Sequence, residues 1–221
     1  MPHKNLTEII VLLDRSGSMA TIKDDMEGGF NTYVNDLRDL QDCRLTLVQF
    51  DTGGIDTVVE SCTIKKVPKL RLEPRGGTPL LDAMGLTMER TGERFRNTPE
   101  ERRPEQVMFV VITDGQENSS HDYTKERVKQ MVEHQTQVYK WEFVYLGANV
   151  DAFAEASALA IHAMGVANFS SLPEDAKARA AMFKHLSKGS RLYISRQTLK
   201  PTQDWSQQDR DEMEGKKPSE K

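Results

Sequence analysis

The sequence predicts an α/β domain: a doubly wound, mostly parallel central sheet with one antiparallel edge strand and helices on both faces, a Rossmann-like plan. Three observations predict it. The runs EIIVLLD (Glu8 to Asp14), VMFVVITD (Val107 to Asp114) and WEFVYLGA (Trp141 to Ala148) are near-continuous in apolar residues, as strands covered on both faces are. Helical stripes stand between such runs, and alternation of strand and helix gives a parallel sheet. RLTLVQFD (Arg44 to Asp51) and DTVVESCTI (Asp56 to Ile64) are separated only by a DTGGI turn. That turn is too short for a crossover helix, so these two strands are antiparallel neighbours.

The elements follow in order. After the first strand, Met19, Ile22, Met26, Phe30, Val34, Leu37 and Leu40 recur at steps of three and four and make one long apolar stripe. Within it, Gly28-Gly29 costs about 1 kcal/mol per glycine relative to alanine, which points to a kink or to tight packing. Leu81, Met84, Met88, Thr91 and Phe95 repeat the helical spacing after a GGTP turn, and Val128, Met131, Val132 and Val138 give a third stripe. DAFAEASALAI is a fourth, and Val166 to Phe169 a short final strand. A fifth helix opens on SLPED, with Ser171 and Glu174 spaced as a capping box, and ends at Gly189. From about Leu199 the chain turns polar and charge-mixed, so residues 190–221 read as an extension that is mobile in part. WSQQDRDEME can form a turn or two of helix there, with Trp205 as a docking residue.

Composition narrows the function. A chain of 221 residues with 37% hydrophobic and 29% charged content suits one soluble globular domain with a polar surplus. A net charge of −4 gives no electrostatic reason to expect nucleic acid or an anionic membrane as partner. No apolar run reaches the roughly 20 residues that span a bilayer. MPHKNLTEII has neither the apolar core nor the cleavage site of a signal peptide, and Cys43 and Cys62 are too few for a disulfide framework. A reducing cytoplasm with two free thiols is the expected setting.

In an open α/β sheet, ligands gather beyond the carboxyl ends of the strands, where the winding direction reverses. Asp14 and Asp114 end two strands that a doubly wound order makes neighbours at that reversal. Ser16 and Ser18 follow Asp14 on the loop into the first helix, and RGGTPL offers Thr78 from another loop. Each has an ordinary explanation. Ser16 or Ser18 can cap a helix, Thr78 can cap the next one with Pro79 in its first turn, and Asp114 before Gly115 can be a turn residue. Together they make two carboxylates and three hydroxyls with no His or Cys, a hard-oxygen set suited to Mg²⁺, Mn²⁺ or Ca²⁺ and not to zinc. Two acids leave a divalent ion under-neutralised, with a place for a carboxylate from outside. Arg15 and Arg75 flank the set, and either can reinforce that incoming acid. Glu117, Asn118, His121 and Asp122 read as a solvated turn beside it.

Asp14-Arg-Ser16-Gly-Ser18, Thr78 in GGTPL and Asp114 in ITDG resemble the metal-ion-dependent adhesion site of von Willebrand factor type A (vWA) domains at all five positions. The resemblance runs from about Asn5 to Gly189. It implies direct coordination by the Ser16 and Ser18 hydroxyls, direct or water-mediated coordination by Thr78, and mostly water-mediated binding by Asp14 and Asp114. It also implies a protein-interaction module whose metal is completed by a partner's Asp or Glu. Without a secretion signal the chain looks closer to intracellular bacterial members, and that resemblance implies an AAA+ ATPase, a kinase or a phosphatase as partner; a monomer is expected.

Other classes are less well served. A hydrolase needs a nucleophile or base, and there is no GxSxG elbow, no HExxH and no P-loop lysine. A metal-dependent hydrolase would activate water at the metal, but no residue presents itself as the base. An RNA-associated vWA scaffold would want a basic-aromatic stripe, which is missing. The chain is therefore expected to be a binding protein and not an enzyme.

Overall fold

The computed structural model describes residues 2–148, 151–202 and 205–216. Six strands form one sheet in the order β3-β2-β1-β4-β5-β6. They are β1 (His3–Asp14), β2 (Cys43–Asp51), β3 (Gly54–Thr63), β4 (Pro104–Thr113), β5 (Glu142–Gly147) and β6 (Val166–Asn168). Only the β2–β3 pair is antiparallel. The winding reverses between β1 and β4, whose register pairs Leu13 with Ile112. Asp14 and Asp114 consequently leave adjacent strands side by side.

The alternation along β1 explains the two faces. Ile9, Val11 and Leu13 point to one layer, formed by α1 (Lys23–Asp36) and α5 (Ala176–Ile194) and closed by Met213 of α6 (Gln207–Met213). Ile10 and Leu12 point to the other, formed by α2 (Leu80–Asn97), α3 (Lys125–Tyr139) and α4 (Ala152–Ala158). Every one of these β1 residues is fully buried, as a strand covered on both sides must be.

Gly29 owes its presence to packing. A methyl built there would lie 2.0 Å from the Phe183 ring on α5, so α1 and α5 touch at a point where only glycine fits. Gly29→Ala is therefore expected to cost about 1–3 kcal/mol by overpacking, read as a lower urea midpoint at unchanged slope.

Several local expectations are corrected. The stripe starting at Met19 opens as a 3₁₀ turn (Gly17–Ile22) before α1 begins. Val138 lies outside the core, 57% exposed at the end of α3, where Lys140 turns the chain through a left-handed conformation. Ser171 and Glu174 form no capping box, since α5 begins at Ala176. That helix also continues past Gly189, which is no cap: the Pro201 carbonyl crosses the helix there, 1.9 Å from the position of a Cβ, and leaves no room for a side chain.

The segment read as a mobile tail instead folds back, apart from residues 203–204 and 217–221, which lie outside the described residues. Ser206 and Asp209 supply the capping box, starting α6. Trp205 donates its indole N–H to the His185 carbonyl at 3.2 Å, and His185 itself lies between Asp209 and Glu212. Arg210 reaches the carbonyls of Val166 and Met164, and the Ser170 N–H donates to the Met213 carbonyl, so α6 covers the outer edge of β6.

On the α1 side, Arg179 of α5 is fully buried. It donates two hydrogen bonds to Asp25 (2.9 and 2.6 Å) and others to the carbonyls of Ser170, Leu172 and Pro173. One guanidinium thus ties three segments together. No helix among the described residues is long and apolar enough to cross a membrane.

Candidate metal centre

The loop leaving β1 is drawn tight by Asp14. Its carboxylate, fully buried, accepts from the Ser16 N–H at 2.7 Å and from the Thr113 hydroxyl at 2.6 Å. The first bond bends the chain so that Ser16 and Ser18 return toward the sheet end, and the second joins β1 to β4. Ser16 stands at the N-cap of the 3₁₀ turn, yet its side chain caps nothing. Its hydroxyl lies 3.0 Å from that of Ser18, which donates to Asp114 Oδ1 at 2.6 Å. Neither Thr78 nor Pro79 caps α2 through a side chain. The ordinary explanation by capping therefore does not account for the serines or the threonine.

Gly115 marks where these oxygens converge. A methyl built on it would lie 2.9 Å from Thr78 Oγ1, 3.7 Å from Ser18 Oγ and 3.8 Å from Asp14 Oδ2. Thr78, Ser18 and Asp14 thus approach one face of Gly115, and Ser16 and Asp114 join them through the Ser18 hydroxyl. No group of three or more His, Cys, Asp or Glu forms a metal site among the described residues, and here only two of the five side chains are carboxylates. Burial pushes Asp14 up to about 6, against the hydrogen bonds from Thr113 and Ser16 and with a contribution from the charge of Asp114. Burial also raises Asp114, against the Ser18 hydrogen bond.

Arg15 and Arg75 are placed differently from the ligand set. The Arg15 guanidinium is turned into the protein, 2.5 Å from Asp51 and 2.8 Å from Asp56, with Gln49 at 3.3 Å. Each of its three nitrogens is engaged by one of these side chains. Arg75 also reaches Asp51, at 3.0 Å, but its side chain is 54% exposed. Asp51 is the residue that sequence reasoning missed. Buried at the end of β2, it holds Arg15, Arg75 and the Gly53 N–H, while the Arg75 N–H donates to the Arg15 carbonyl. The loop of the serines and the loop of Thr78 are pinned together through it. The signal was available, because Asp51 ends its strand as Asp14 does.

Glu117 and Asn118 do more than the solvated turn expected of them, although Asn118, His121 and Asp122 are exposed. Asn118 accepts from the Thr78 N–H at 2.9 Å and donates its own N–H to the Thr78 carbonyl at 3.2 Å. Glu117 accepts from the N–H groups of Leu81, Ser119 and Ser120.

No family model and no curated protein matches the chain. Solved structures do. The PilB minor pilin from Streptococcus sanguinis aligns at 14% identity and a TM-score of 0.55, over 86% of this chain and 62% of that one. A von Willebrand factor type A protein from Catenulispora acidiphila aligns at 16% identity and 0.54, over 84% of this chain and 42% of that one. The manganese-loaded TRAP protein of Plasmodium vivax aligns at 15% identity and 0.51, over 81% and 73%. The chain spans less than two thirds of the length of the first two. What is shared at these identities is the architecture, and that architecture is the fold of von Willebrand factor type A domains.

Proposed function

We propose that this domain is a protein-interaction module that binds a divalent cation, Mg²⁺ or else Mn²⁺ or Ca²⁺, through Asp14, Ser16, Ser18, Thr78 and Asp114, and through it an Asp or Glu of a partner protein. The observation that carries the reading is the convergence of oxygens from three loops on the face of Gly115. The donor chemistry fits a hard cation. Asp14 and Asp114, both raised by burial, are groups that a nearby positive charge returns to the ionised form. A bound metal supplies an electrophilic point for an outside carboxylate. The protein supplies the rest: Asp14 fixes the loop, Thr113 fixes Asp14, and Asp51 holds the flanking arginines. That a vWA-fold relative is solved with manganese supports the reading. Of the two flanking arginines, Arg75, whose side chain is half exposed, is proposed to meet the partner's acid in preference to Arg15, which is held by Asp51 and Asp56.

The test is a metal titration followed by affinity capture from source lysate. Wild type is expected to bind the metal and to retain a partner in Mg²⁺, losing it in EDTA. Gly115→Ala keeps every ligand but fills the space between them, so it is expected to lose both metal and partner. Metal binding that survives this substitution would place the ion elsewhere. An AAA+ ATPase, kinase or phosphatase among the captured proteins would match the setting implied by intracellular relatives. The monomeric state and cytoplasmic location belong to the same proposal.

A further inference from the structure

We infer that Asp82 and Glu117 are positioning residues that lock the Thr78 side of the proposed metal site to its Asp114 side, so that the cradle is set before an ion or a partner arrives. The inference rests on the metal-binding reading above. Strand pairing places Asp14 beside Asp114, but nothing in the sheet fixes Thr78, which rides on the loop entering α2. Its distance from Asp114 depends on how that loop meets the one following β4.

The two segments exchange hydrogen bonds in both directions. From the β4 side, Glu117 accepts from the Leu81 N–H at 2.8 Å, and the Ser120 hydroxyl accepts from the Asp82 N–H at 3.0 Å while donating to Glu117 at 2.7 Å. From the α2 side, the Asp82 carboxylate accepts from three successive N–H groups, those of His121, Asp122 and Tyr123, at 2.8, 2.9 and 2.8 Å. Asn118 closes the set by bonding both backbone groups of Thr78.

This arrangement has a chemical purpose. The first turn of a helix exposes N–H groups without intrahelical partners, and the N-cap of α2 is Pro79, whose side chain can take none of them. Here Glu117 and Ser120 take those N–H groups from across the gap. The positive end of α2 favours the two carboxylates that do the locking. The hydroxyl of Thr78, next to that N-cap, is not drawn into capping and lies against Gly115. Because each carboxylate binds the segment opposite, loss of either one loosens the same joint.

The experiment is a Mn²⁺ titration of wild type, Asp82→Ala, Glu117→Ala and the double variant, with the milder Glu117→Gln in reserve should an alanine variant fail to fold. Outer partners of metal ligands are commonly worth tenfold or more in affinity, so each single variant is expected to bind about tenfold more weakly. The double variant is expected to lose little beyond the worse single, the non-additivity of one shared joint. Amide exchange at Leu81 and at His121–Tyr123 should quicken in both single variants. Leu186→Ala, in the α5 core, lowers stability without touching the joint and should leave affinity unchanged. Unchanged affinity in the lock variants, or a loss that Leu186→Ala reproduces, would overturn the inference alone. A wild type that binds no metal would overturn both this inference and the reading beneath it.

Discussion

Magnesium at a hundredfold excess over its Kd is expected to raise the melting temperature of the wild-type domain by about 5–10 °C over EDTA, and Asp14→Ala is expected to abolish the rise. The size follows from linkage. A ligand that binds only the folded state at that excess adds about 2.7 kcal/mol, and a domain of this length gains about 2–4 °C per kcal/mol. Asp14 is the substitution of choice because three consequences meet in it. It removes one of two carboxylates, releases the Ser16 N–H that turns the serine loop inward, and breaks the tie to Thr113 across the β1–β4 reversal. Differential scanning fluorimetry with Mg²⁺, Ca²⁺ and EDTA in parallel reads the effect. Equal metal responses in the two proteins would detach Asp14 from the site.

Arg179→Ala is expected to be the most destabilising single change, costing about 3–5 kcal/mol, as breaking a buried charge network does. Its guanidinium is inaccessible to water, so the carbonyls of Ser170, Leu172 and Pro173 lose their donor together, and Asp25 loses two hydrogen bonds. Arg179→Lys keeps the charge but replaces a planar fork with a single ammonium group, and is expected to recover only part of the loss. Urea denaturation of the three proteins orders them wild type, lysine, alanine. An alanine variant within 1 kcal/mol of wild type would show that these contacts are replaced by water at little cost.

How much of this was legible from the residues depended on the range of the cause. The sheet was legible because Ile9 to Leu13 and Met108 to Ile112 are apolar without interruption, and the flanking Gly, Asn and Asp favour a strand covered on both faces over a short buried helix. The gathering of Asp14, Ser16, Ser18, Thr78 and Asp114 was legible because each stands where a strand or turn ends, and topology brings those ends together. The burial of Arg15 was not, since its direction is set by Asp51 and Asp56, acids on neighbouring elements that carry no periodic signal. Glu117 and Asp82 were hidden for the same reason: what they bind is backbone across a loop–loop gap. Helix α6 was legible only as an alternative to a mobile tail, because Trp205 and Met213 alone contribute apolar contact and its order comes from a capping box and from His185 on another helix. Periodicity reports burial, and it is silent about polar groups that organise loops.

The covering of β6 by α6 has a bearing on self-association. Unpaired sheet edges invite other chains to add on, and a sheet with two free edges can grow without limit. Among the described residues this sheet offers β3 alone, because the outward Val166 carbonyl of β6 is already taken by Arg210. Two copies that met edge to edge would join β3 to β3 about a twofold axis and leave no edge for a third. Misassembly by this route would stop at a pair and could not run on into a fibre.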